Sequence, residues 1–333
     1  MSAEARWAAL TATLLVAGIA VSAQGAEVWV GNQRTNKVQI VDGESFALIT
    51  EIDVGQKPHN IAFSKHGHRA YVANLRSGDF TVLDADARRA MKTVPAGKIT
   101  HHVAASPDDR LLAVAVRGEN RVIIYDAKSL TPVKSIQVGQ NPGMTVFTPD
   151  GHGAYVNNGG DGSVSIIDVG KLEVVGEIRN VGGWTSALAM TPDGKRLVIT
   201  AGTGDTYAII DTTTQKVVAT GITGKGPHGV ALTPDGRHGL VVNSLSNDLA
   251  VVELLTGRVV ETIADIGDKP AFVDVSPDGH YAYVSLIGER APGDPPNRLS
   301  GKTPGVAVID LRQKRVVRTI TLGGDPISVT VRR

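Results

Sequence analysis

Apolar positions along this chain come in short clusters, separated by polar and turn-forming residues. In one representative stretch, Asn60 to Phe63, Arg69 to Ala73, Phe80 to Leu83 and Met91 to Val94 follow one another, and Pro95-Ala96-Gly97 closes the group. Alternation and β-branched content within each run favour strands, and the short separations between runs favour antiparallel hairpins. We name the four strands a, b, c and d.

Two markers repeat this unit along the chain. The first is a turn, seen as Ser106-Pro107-Asp108-Asp109, Thr148-Pro149-Asp150-Gly151, Thr191-Pro192-Asp193-Gly194, Thr233-Pro234-Asp235-Gly236 and Ser276-Pro277-Asp278-Gly279, with Ser64-Lys65-His66-Gly67 as its first copy; successive starts differ by 42, 42, 43, 42 and 43 residues. The second is an acidic residue closing a β-branched run: Asp42, Asp84, Asp126, Asp168, Asp211, Glu253 and Asp310, with gaps of 42, 42, 42, 43, 42 and 57. Proline pre-sets φ at the turn, Asp bonds the local backbone, and Gly takes the left-handed position of a three-residue hairpin. Four antiparallel strands at this period are one blade of a β-propeller. The expected fold is therefore all-β and seven-bladed.

The chain ends define its closure. Glu27 to Asn32 aligns with Arg69 to Asn74 and is a b strand without its own a strand; Pro326 to Val331 aligns with Pro58 to Phe63 and is an a strand without b, c and d. The last blade is thus expected to combine three N-terminal strands with one C-terminal strand, which removes an exposed edge.

Residues 1–25 differ from the rest. Arg6 precedes an apolar run from Trp7 to Val21, and small residues follow. The run is too short to span a bilayer and reads as a secretory signal peptide, leaving residues 26–333 as a single propeller domain. The absence of cysteine excludes disulfides and thiolate metal sites, and export without cysteines suits a bacterial periplasm. Lys and Arg total 34 against 33 for Asp and Glu, so no basic stripe marks a nucleic-acid partner. The expected state is a monomer that is not integral to a membrane.

The b strands Ala70-Tyr71-Val72-Ala73-Asn74, Ala154-Tyr155-Val156-Asn157-Asn158 and Ala282-Tyr283-Val284-Ser285, with the Pro-Asp-Gly turns and the Val308-Ile309-Asp310 ending, resemble the YVTN family of β-propeller repeats. The resemblance covers essentially the whole mature chain. It implies an exported bacterial or archaeal propeller, a class that includes binding and scaffold proteins, surface-layer modules and haem carriers, with lactonases and lyases in sister families. The motifs specify fold far better than chemistry.

Candidate chemistry is found where the repeats diverge. The loops before strand a and those joining b to c share one rim, the top; the a–b and c–d turns share the other. The seven repeated carboxylates fall on the lower rim and read as turn caps. At the start of strand a, the equivalent positions hold His59, His101, Gly143, Ser186, His228, Ala271 and Ile327. Three histidines there invite a metal, but His228 stands three blades beyond His101, a span that ligand bonds of about 2 Å do not bridge. Trp184, between glycines in the same loop of another blade, suits ring stacking. Arg76 and Arg117 in b–c loops suit a carboxylate or phosphate partner, and an insertion from about Gly288 to Gly305 on the same rim, with Arg290 and Arg298 as its candidate binding residues, reads as a lid or a partner-docking loop. No hydrolase elbow, zinc-protease helix, Walker loop or dinucleotide fingerprint is present.

The expected function is a periplasmic, non-catalytic propeller that binds a small molecule or a protein through its top rim, with no catalytic residue, metal or cofactor assigned. A metal-assisted lactonase or lyase is the enzymatic alternative, with Asp274 as its channel-side carboxylate. A haem-binding or redox-partner role is the third.

Overall fold

The computed structural model describes residues 26–288 and 304–332. The expected signal segment, residues 1–25, and most of the insertion, with Arg290 and Arg298, lie outside the described residues. Seven four-stranded antiparallel sheets form the seven blades expected from the repeat. Numbering blades from the first complete one, the a strands are Pro58–Phe63, Thr100–Ala105, Pro142–Phe147, Thr185–Met190, Pro227–Leu232, Pro270–Val275 and Pro326–Arg332. The corresponding b strands are Arg69–Asn74, Leu111–Val116, Gly153–Asn158, Arg196–Ala201, His238–Asn243, Tyr281–Leu286 and Glu27–Asn32.

Blade 7 is the composite one. Its C-terminal a strand pairs with the N-terminal b strand from Glu27 opposite Arg332 to Asn32 opposite Pro326, and Lys37–Asp42 and Leu48–Asp53 supply c and d. Arg332 reinforces the closure by donating to the Gly67 carbonyl at 3.0 Å and the Ala85 carbonyl at 3.1 Å, and by pairing with Asp86 in blade 1. Glu27 beneath it is buried, accepting from Trp29 Nε1 at 2.9 Å and pairing with Arg88.

The core is a circle of inter-blade layers rather than one centre. Leu112, Val114 and Val116 of blade 2 pack on Phe80 and Val82 of blade 1, and each junction around the ring repeats this arrangement with its own residues. Middle strands therefore bury both faces, while d strands bury little; Arg89–Pro95 is exposed except at Val94. The strands exceed the apolar runs that announced them by one to three residues, because flanking polar residues continue the ladder.

The lower rim is built from satisfied turns. Asp150 accepts from Thr148 Oγ1 at 2.5 Å and from the His152 amide at 3.0 Å, and Gly151 takes φ +73°. In the c–d turns, Asp42 accepts the Ser45 amide at 2.7 Å and Asp126 the Ser129 amide at 2.7 Å. These bonds to the ionised form hold both carboxyls below the usual carboxylate range.

Candidate functional site

Every a strand carries a register shift at its start, and that irregularity creates the site. In blade 1 the ladder passes from Pro58 opposite Asn74 directly to Asn60 opposite Ala73, leaving His59 unpaired. In blade 2 it passes from Thr100 to His102, leaving His101 out. The same break follows Pro142, Thr185, Pro227 and Pro270, and it recurs between Gly31 and Asn32 in blade 7. A bulge re-aims the extra residue out of the strict alternation of a strand. Proline tolerates the first strand position because its missing amide is not needed by the ladder.

The bulge also frees backbone groups inside a dry wall, where each must find a partner. Three blades supply it from the fifth position of strand b. Asn157 Oδ1 accepts the Met144 amide at 2.5 Å, and its Nδ2 donates to the Thr185 carbonyl of the next blade at 3.1 Å. Thr200 Oγ1 accepts the Ala187 amide at 3.1 Å and donates to the His228 carbonyl at 2.6 Å. Ser285 Oγ accepts the Phe272 amide at 2.9 Å and donates to the Ile327 carbonyl at 2.7 Å.

The histidine blades carry Ala73, Ala115 and Val242 at that same b position. In blade 5 the bridge to the next blade comes from the bulge side chain. His228 Nδ1 lies 2.9 Å from the Ala271 carbonyl. A carbonyl only accepts, so Nδ1 carries the proton and Nε2 is left as an acceptor. The two solutions compete for space: a Cβ at Gly143 would lie 2.7 Å from Asn157 Nδ2. One wall position is filled either from strand b or from the bulge.

Seven a strands enclose a channel of about 450 Å³, running from His59 and His101 at the mouth to Pro107, Pro192 and Pro234 at the lower turns. The His59 and His101 rings lie 4.0 Å apart at 41°. Phe272 of blade 6 meets His228 edge-on at 4.9 Å and His59 at 5.8 Å. His228 is thus joined to the other two by an aromatic edge across what the sequence reading took as an open span. Phe272 is the mouth residue that sequence reasoning missed; its signal was a lone aromatic one step after a bulge position.

Burial, followed by the positive charge of Arg117, pushes His59 down to about 3. Burial holds His101 well below its ordinary value, with His59 and Arg117 adding to the effect; the backbone of the next blade, at Gly143 for His101 and at His101 for His59, pulls weakly the other way. His228 is lowered by burial too, against the opposing pull of the Ala271 carbonyl. The imidazoles are therefore neutral at pH 7. Arg117, on the b–c connection Arg117–Glu119, is pushed down by burial to about 10 and keeps its charge. Its charge bears on all three histidines, and among the described residues no carboxylate pairs with it. Among the channel-lining residues, His59 Nδ1, His101 Nδ1, Thr145 Oγ1 and Ser328 Oγ are buried without a hydrogen-bond partner, as is Arg117 Nε on the b–c connection.

The other candidates are placed elsewhere. His102 lies along the channel wall, where burial pushes it down to about 3 and its Nδ1 accepts the Thr145 amide at 3.3 Å. Asp274 also lines the channel, but its two oxygens accept the Val275 and Val331 amides at 2.8 Å each, a use that fastens blade 6 to blade 7. Trp184 is 41% exposed on the rim; its amide is held by Thr203 Oγ1 and its ring lies against Gly159. Arg76 is exposed beside Lys57 and Lys98 in a separate rim recess. No group of three His, Asp or Glu residues suited to a metal occurs among the described residues. Nor does any described helix have the length and apolarity to cross a membrane.

Residues 69–235 match the model of the YNCE-like beta-propeller family. The chain belongs to that family. No curated protein matches it in sequence. Among solved structures, the YNCE-like chain is similar to Kuenenia stuttgartiensis hydrazine synthase, with 22% identity, a TM-score of 0.71, and coverage of 79% of this chain and 90% of that one. It is also similar to a functionally unknown protein from Desulfotomaculum acetoxidans DSM 771, at 12% identity and TM-score 0.78, covering 92% of this chain and 98% of that one. At these identities the likenesses establish the propeller fold and nothing of its chemistry.

Proposed function

We propose that this YNCE-like propeller is an exported binding protein that takes a small molecule, or a side chain of a partner protein, into the top mouth of its channel. One observation carries the reading: four residues that line this channel, His59, His101, Thr145 and Ser328, each hold a buried side-chain polar atom without a hydrogen-bond partner, whereas the lower rim satisfies its polar groups locally. Buried polar groups are ordinarily paired, so a cluster of exceptions is where an external partner repays the cost of desolvation. Export rests on the leader-like segment before Glu27. A catalytic reading has less support, because Asp274, the carboxylate that would serve it, is engaged by two backbone amides.

The test is a thermal-shift screen of small polar and amphipathic compounds against the wild type and His59→Leu, with cell fractionation to locate the protein. Ligands are expected to stabilise the wild type and to lose most of that effect in the variant. Equal shifts in both proteins would remove the mouth as the site.

A further inference from the structure

We propose that the rim recess between blades 1 and 2 is a docking seat for an extended acidic segment of a partner protein that carries an apolar anchor residue. The recess is lined by Lys57, Leu75, Arg76, Lys98, Ile99 and Gly118 and has a volume of about 540 Å³. None of these residues borders the channel, so the seat stands independently of the mouth.

Backbone clasps fix its walls on both sides. The Leu75 amide donates to the Lys57 carbonyl at 2.9 Å, and the Arg76 amide to the Gln56 carbonyl at 3.1 Å. One blade on, the Arg117 and Gly118 amides donate to the Ile99 and Lys98 carbonyls at 3.0 Å each. The recess is thus preformed, and a partner has little left to order in it.

Its charge is uncompensated. Lys57, Arg76 and Lys98 are exposed, and none of them enters an ion pair among the described residues. The repeat shows what is missing. Lys225 holds the loop position of Lys98 before blade 5, and its Nζ pairs at 2.7 Å with Asp205 in the b–c loop of blade 4. In blade 1 the place of Asp205 is taken by Gly78, and both residues are left-handed, at φ +58° and +72°. Blade 1 therefore keeps the turn and drops the carboxylate. Glu119 is committed to the Lys98 amide at 2.7 Å and to Arg121 at 2.6 Å. On the far side Asp325 feels Arg34 and Lys57, but burial holds its carboxyl above the usual carboxylate value.

Its apolar part is displayed under strain. Ile99 sits at φ +58° and is 44% exposed. A β-branched residue rarely adopts that conformation, and Asn141 and Gly226 fill the same position in blades 3 and 5. Core burial does not account for an isoleucine there, whereas strain of this kind gathers at ligand clamps. With the half-buried Leu75 it adds an apolar strip beside the three cations. Asp or Glu side chains match the charges, and an apolar neighbour covers the strip. A phosphodiester chain would use the charges alone, and three cations are a small footprint for a polyanion.

Selection from a random dodecapeptide phage library on the mature protein tests the seat, followed by fluorescence anisotropy of the selected peptides. They are expected to place Asp or Glu around Leu, Ile or Phe. Combining Lys57→Gln, Arg76→Gln and Lys98→Gln should weaken them by about tenfold or more, with an unchanged thermal midpoint showing that the variant is folded. Ile99→Asn relieves the backbone, so it should raise the thermal midpoint while weakening the same peptides by about threefold or more. A structural role for Ile99 would instead lower the midpoint, and that result overturns the apolar strip. Peptides without acidic bias, or bound equally by the triple variant, overturn the seat, as does failure to enrich any peptide. A dodecathymidylate or phosphatidylglycerol vesicles bound more tightly than the peptides through the same cations would overturn the protein segment as occupant. None of these outcomes bears on the thermal-shift test of the mouth.

Discussion

The channel wall solves one backbone problem in two ways, and the contrast separates structural side chains from available ones. In blades 3, 4 and 6, Asn157, Thr200 and Ser285 reach from strand b, satisfy the freed amide and bridge to the next blade. In blades 1, 2 and 5 strand b is apolar at that position and a histidine occupies the bulge. Only His228 of these completes the bridge at hydrogen-bond distance. In the hydroxyl and amide blades the side chain at this b position is engaged on both sides. In the imidazole blades the Nδ1 atoms of His59 and His101 stay buried without a hydrogen-bond partner, so two of those rings are left with unused capacity.

Acid should expose the difference most strongly. His59 and His102 are pushed down to about 3, against an unfolded value near 6.5, so between these limits the unfolded state binds more protons. Stability should therefore fall as pH drops from about 6.5 towards 3, by about 1.4 kcal/mol per pH unit for each ring that stays neutral. Urea denaturation across this window should show the slope, and His59→Gln should flatten it by one proton; an unchanged slope would place the neutral rings elsewhere.

The next largest effect belongs to the hydroxyl and amide blades. Asn157→Ala should cost about 3 kcal/mol, because it strands the Met144 amide and the Thr185 carbonyl in a dry wall. A loss below about 1 kcal/mol in chemical denaturation would mean that water replaces the amide. A sharper experiment converts one type of blade into the other. His228→Ala should destabilise by about 1–2 kcal/mol, and adding Val242→Ser should return about 1 kcal/mol by rebuilding the bridge from strand b. Additive losses in this double-mutant cycle would break the equivalence. The smallest effect is expected at His59→Leu, within about 0.5 kcal/mol of wild type, because its Nδ1 makes no bond to lose. A cost equal to that of His228→Ala would show that His59 is a latch as well.

The blade count and the shared blade were legible in the sequence because they follow from periodicity alone: two markers keep step, and the unmatched Glu27 and Pro326 segments complete one another. The mouth histidines and Arg117 were legible as departures from the repeat. Phe272 was not, nor was the exchange between His59 and Ala73 on one hand and Gly143 and Asn157 on the other. Such pairings depend on a bulge that moves one side chain out of alternation, and on contacts between strands of neighbouring blades. The same bulge explains why His101 and His102, which strict strand alternation would turn to opposite faces, both border the channel.

The shared blade also constrains how the ring assembles. Its two innermost strands join Glu27 to Arg332, the longest sequence separation of any strand pair in the fold. Bringing such distant segments together has a high loop-closure entropy, and contacts of this range are formed slowly. Six blades can condense from neighbouring hairpins, whereas the seventh awaits the arrival of Pro326–Arg332. Until then the b strand at Glu27–Asn32 presents an open edge and one face of blade 6 is uncovered, a state in which strands exchange between molecules. Ring closure is thus the step at which a nascent copy is most exposed to mispairing with its neighbours.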